Sequence, residues 1–135
     1  MVRILILFFL LSSQIAFANT QQQPLSTLVT VQNVSFERCV KMYDTDAESL
    51  LYLTLASINA NRFRIIEIQS KTGYILFNAV GKEFLASVIK IQDGKSLLKV
   101  TPTNNIYYFQ PGIVLNLFKY FELNSNLKPV LLPLN

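Results

Sequence analysis

The sequence predicts an α+β fold: a two-layer sandwich in which a four- to five-stranded antiparallel meander packs against two helices, in the order β-α-β-β-β-β-α. Three observations carry this expectation. Thr45-Asp46-Ala47-Glu48 is a capping box ahead of an apolar stripe at helical spacing. Two hairpin signals, Ser70-Lys71-Thr72-Gly73 and Asp93-Gly94, separate β-branched and aromatic runs between 62 and 102. A second helical segment follows Pro111, where proline suits a first helical position.

The chain starts with a single charge, Arg3, followed by an unbroken apolar run from Ile4 to Leu11 and then Ala16-Phe17-Ala18. A positive start, an apolar core and small residues before the cut make a secretory signal peptide, with cleavage expected after Ala18. A retained anchor would need ~20 apolar residues, about twice this core. Cys39 is the only cysteine, so no disulfide framework supports the domain, which favours a bacterial periplasm as the destination. Residues 19–26, with three consecutive glutamines, read as a flexible polar leader. Residues 27–126 read as one α+β domain, and 127–135, apolar but holding Pro129 and Pro133, as a C-terminal strap.

Within the domain, Leu28-Val29-Thr30-Val31 and Val34-Ser35-Phe36 predict strand pieces between 27 and 42. Ala47, Leu50, Leu51, Thr54, Leu55 and Ile58 form the stripe of the first helix, which Asn59 and Asn61 can end. A four-residue loop at 70–73 would set Ile68 opposite Ile75 and Ile66 opposite Phe77. That register leaves Phe63, Ile65, Tyr74 and Leu76 on the outer face, with Phe84 beside them. A two-residue loop at Asp93-Gly94 would set Ile91 opposite Ser96 and Ile89 opposite Leu98, with Leu85, Ile89 and Ile91 facing the core. Pro102 ends the last of these strands, and the second helix is expected to run from Pro111 to about residue 123, before Asn124-Ser125-Asn126. This order of elements resembles helix-grip and related small sheet-on-helix folds. The resemblance is one of architecture and implies no activity.

The residue inventory narrows the chemistry. The 135 residues include no histidine, which removes the usual general base, the Ser-His and Cys-His nucleophile pairs and the commonest zinc ligand. Asp44, Asp46 and Glu48 alternate like the start of a calcium loop. Ser49 and Leu55, however, stand where such a loop needs glycine and glutamate, and capping a helix explains the acids. Removing Arg3 leaves 11 basic residues against 8 acidic ones, scattered along the chain, so neither a nucleic-acid interface nor more than peripheral membrane contact is expected. No catalytic residue, metal site or cofactor is expected.

The second helical segment is apolar on nearly every side, with only Asn116, Lys119 and Glu122 interrupting it. Ile113, Val114, Leu117 and Phe121 suffice to cover a sheet, which leaves Leu115 and Phe118 for the strap or for a partner. These two on the second helix, or Tyr74 and Leu76 on the outer sheet face, form the candidate interaction surface. Cys39 is a candidate for an intermolecular disulfide, against the simpler reading that it is buried. The expected function is that of an exported, non-enzymatic domain acting by contact with an envelope protein or by self-association. The alternative is a carrier of a small apolar ligand such as a lipid, held in a cavity lined by Phe77, Ile89, Leu98 and Leu117.

Overall fold

The computed structural model describes residues 25–132. The predicted signal peptide, the leader up to residue 24 and the last three residues of the strap lie outside the described residues. In chain order the elements are helix α1 (Leu25–Val29), strand β1 (Gln32–Asn33), a 3-10 turn (Phe36–Cys39), β2 (Val40–Tyr43), α2 (Ala47–Ala60), β3 (Arg64–Gln69), β4 (Tyr74–Ala79), β5 (Lys82–Gln92), β6 (Lys95–Pro102), β7 (Tyr108–Phe109) and α3 (Gly112–Ser125). The main sheet is antiparallel with spatial order β2-β6-β5-β4-β3, and β1 pairs with β7 in a small second sheet. The expected meander is β3 to β6, and β2 adds a fifth strand beside β6. Helix α2 lies over β3 to β6 and packs against α3, which in turn carries α1. The molecule is therefore α+β, with its helices packed on the sheet.

The segment predicted as strand between 27 and 42 is mostly something else. Leu28 and Val29 belong to helix α1, and Phe36 to the 3-10 turn. Tertiary contact overrides the β-branched composition here, since the Leu28 carbonyl lies close enough to Gly112 of α3 that an added Cβ there would meet it at 2.9 Å. The 3-10 turn closes on the Ser35 carbonyl, which accepts from the Arg38 amide at 3.2 Å.

The first long helix starts one residue later than the capping box implied. Asp46, not Thr45, is its N-cap, with its carboxylate accepting from the Ser49 amide at 2.7 Å. The hydrogen bond from Ser49 holds the Asp46 carboxyl below its ordinary range. Thr45 is engaged elsewhere, its carbonyl accepting from Ser96 Oγ at 2.8 Å. At the far end Asn61 caps the helix, while Arg62 takes the left-handed conformation at φ 60°.

Two bulges revise the predicted registers. Ile68 does face Ile75, but an extra residue between Ile65 and Glu67 puts Ile65, not Ile66, opposite Phe77. Ile65 and Phe63 accordingly pack against the core instead of lying on the outer face. In the second hairpin Gln92 pairs with Lys95 across the two-residue turn, and a bulge at Ile91 then shifts the strand by one residue. Val88 faces Leu98 and Ala86 faces Val100, so Phe84, Ala86 and Val88 enter the core. Leu85, Ile89 and Ile91, expected inside, do not. A one-residue slip exchanges the two faces of a strand, and β5 is apolar in both phases, so alternation alone could not choose between them.

Aromatic packing explains the choice. Phe63, Phe77 and Phe84 stack in sequence at centroid separations of 6.0 and 5.6 Å, and Phe109 meets Phe84 edge-on at 5.1 Å. With Phe84 turned outward, this row would break in the middle. Toward the other end of the core, Tyr43 of β2 meets Phe121 of α3 edge-on at 5.3 Å. The chain then leaves α3 through Asn126 in the left-handed conformation, and Leu127 packs on the core. Val130 donates its amide to the Met42 carbonyl at 2.8 Å and so forms a single bridge on the outer edge of β2.

Candidate interaction surface

With α2 and α3 on the core side, the pleat of the sheet sends every second side chain to the opposite, open face. Strand β4 places Tyr74, Leu76 and Asn78 there, partly exposed between the buried Ile75, Phe77 and Ala79. Across the ladder, Leu76 is opposite Leu85, and Leu85 is opposite Thr101. Tyr74 is opposite Ser87, which leads to Lys99. A third row runs from Ile89 through Leu97 to Met42. The result is an apolar band of Tyr74, Leu76, Leu85, Ile89 and Leu97, with Glu67 at its border and Ser87 and Lys99 set between its rows.

The four candidate residues fall in two places, as the alternatives of second helix and outer face require. Tyr74 and Leu76 are neighbours on the open face, both half-buried. Leu115 is half-buried on α3, on the core side of the sheet. Phe118 is 6% exposed and joins the core, so the chain itself covers it. The residues that sequence reasoning missed are Leu85, Ile89 and Leu97. The first two were assigned to the core by the unbulged register, and the apolar character of both phases of β5 was the signal that could have raised the question.

Cys39 is buried, with its thiol aimed at the Ser35 carbonyl 3.6 Å away. Burial pushes this thiol up to about 11, against a weaker opposing pull from Arg38. A bridge to a second chain would first require the 3-10 turn to open. The residues named for an apolar cavity are also separated. Phe77, Leu98 and Leu117 are completely buried in the core, whereas Ile89 stands on the open face.

Two shallow, adjoining clefts flank the first turn of α2. One, of about 500 Å³, reaches the β3–β4 turn and has Glu48, Lys71 and Lys90 on its walls. The other, of about 520 Å³, shares Glu48 and Lys90 and extends to Gly94. Their charges are mixed, and Lys90 is engaged with Asp93 at 2.9 Å. Among the described residues no three cysteine or carboxylate side chains converge as metal ligands, and no helix is long and apolar enough to cross a membrane. Comparison with known protein families, with curated proteins and with solved structures finds no match to this chain.

Proposed function

We propose that this protein is an exported, non-enzymatic domain that acts by binding another protein of its compartment through the open face of its sheet. The observation that carries the reading is the apolar band of Tyr74, Leu76, Leu85, Ile89 and Leu97 on the face opposite the helices. Single exposed apolar side chains are ordinary on any surface, but five apolar side chains gathered on one face, with Ser87 and Lys99 among them, have the composition of an interface. Export rests on the Arg3, Ile4-to-Leu11 and Ala16-Phe17-Ala18 arrangement.

The test is affinity capture from the host's envelope fraction with the natural chain and with a Leu76→Asp, Leu85→Asp variant. Both changes lie on the open face and leave the core intact, so circular dichroism should be unchanged. A partner retained by the natural chain and lost by the folded variant supports the reading. A partner held equally by both would place the contact elsewhere and overturn it.

A further inference from the structure

We infer that two copies of this chain pair through the outer edges of their β3 strands, joining two five-stranded sheets into one continuous sheet. This goes beyond binding at the open face, which such pairing leaves accessible. The sheet has two edges, β2 and β3. Val130 bridges Met42 on the β2 edge. Among the described residues no strand pairs with the outer edge of β3, where Ile66 is 42% and Ile68 46% exposed. A free edge of this kind offers unpaired backbone groups to another strand.

The bulge in β3 determines which strand fits. Residues three apart on a regular strand point to opposite faces. Here the extra residue lets Arg64 face Asn78 and Glu67 face Leu76, so both charges stand on the open side. Phe63, Ile65 and Ile68 belong to the core side, through Phe77 for the first two and Ile75 for the third. A two-fold axis placed between Ile65 and Ile66 then matches both faces. Within the strand, Arg64 falls opposite Glu67 of the second copy and Ile65 opposite Ile66, so each opposed pair is a charge pair or an apolar pair. Sliding by two residues would put Ile66 opposite Glu67 or Arg64 opposite Ile65, so the pattern selects one register. Within the chain, among the described residues, neither Arg64 nor Glu67 takes part in an ion pair; Glu67 accepts only from Gln69 Nε2, at 2.9 Å. The second copy supplies the missing partner for both.

The experiment is sedimentation velocity of the exported chain, isolated from its host, across a wide concentration range. Variants Arg64→Glu, Glu67→Arg and the double exchange are compared with it. The natural chain is expected to show a reversible monomer–dimer equilibrium. Each single reversal sets like charges opposite one another at two symmetric positions and weakens the dimer about tenfold or more. The double exchange restores the opposed charges and brings the dimer back to within about threefold of the natural chain. A chain that stays monomeric at every concentration overturns the inference. So does a dimer indifferent to the single reversals, or one that the double exchange fails to rescue. Because Arg64 lies outside the apolar band and Leu76 and Leu85 are unchanged, capture of a partner by the monomeric Arg64→Glu variant separates failure here from failure of the open-face reading.

Discussion

Ser57 Oγ donates a hydrogen bond to the Leu117 carbonyl at 3.0 Å, across the contact between α2 and α3. Both residues are completely buried, and the small serine lets the two helices approach closely at this point. Replacing Ser57 with alanine keeps the close approach and removes one buried bond, so it should cost about 1 kcal/mol in denaturant unfolding. Replacing it with leucine overfills the contact and should cost about 1–3 kcal/mol. A leucine variant as stable as the alanine variant would show that the helices are not in tight contact there.

Val80 is an exposed β-branched residue at φ 51°, followed by Gly81 at φ 74°. Together they form a two-residue hairpin turn that needs positive φ at both positions, where valine is strained and asparagine is favoured. Val80→Asn should therefore raise stability by about 1 kcal/mol. Unchanged or lower stability in thermal and urea unfolding would mean that the strain is relieved in some other way.

Among the described residues the buried Tyr43 hydroxyl has no hydrogen-bond partner, and burial together with the nearby Glu122 holds it well above the ordinary tyrosine range. Tyr43→Phe keeps the ring against Phe121 and removes the unsatisfied group. It should match the natural chain or exceed it by up to about 1 kcal/mol. Tyr43→Ala empties the same site and should cost about 3–5 kcal/mol. A phenylalanine variant clearly less stable than the natural chain would reveal a partner for the hydroxyl.

Cys39 predicts an alkaline weakness. Its folded-state pKa of about 11 lies above an ordinary value near 9, so folding favours the neutral thiol. The associated stability is fully present below about pH 9 and is lost as pH rises through about 11. The urea midpoint of the natural chain should fall more steeply over this interval than that of Cys39→Ala. Parallel curves would contradict the assignment. Alkylation of Cys39 at neutral pH should likewise require unfolding.

Asp46 behaves in the opposite sense. Its folded-state pKa is lowered by the hydrogen bond from the Ser49 amide, so its contribution is present above its ordinary range and is lost as pH falls through the lowered value. Asp46→Ala should therefore be less stable than the natural chain near neutral pH, and the two should converge in acid. A constant difference across the range would show that the charge plays no part in the cap.

The order β-α-β-β-β-β-α was legible because capping and turn chemistry are local: Asp93-Gly94 and the residues around Asp46 specify their own geometry. The bulges at Ile66 and Ile91 were not legible. Each depends on which of two apolar phases meets the aromatic row of Phe77, Phe84 and Phe109, a relationship between residues far apart in the chain. The candidate surface inherited that error. Tyr74 and Leu76 were placed on the outer face because the four-residue loop at 70–73 sets Ile68 opposite Ile75, and Leu85 and Ile89 were misplaced because the bulge at Ile91 shifts β5 by one residue. Phe118 looked surplus because a helical wheel cannot show how many sides of a helix the rest of the chain will cover.

The two ends of the described chain are sewn to each other. Leu28 lies against Gly112, the Val34 amide donates to the Tyr107 carbonyl, and Met42 accepts from Val130. A chain delivered end-first, from a ribosome or through a pore, thus carries its opening elements unpartnered until its closing ones arrive. These end-to-end contacts are the last that a growing chain can close, whereas the contacts of α2 with the meander β3 to β6 need nothing beyond residue 102.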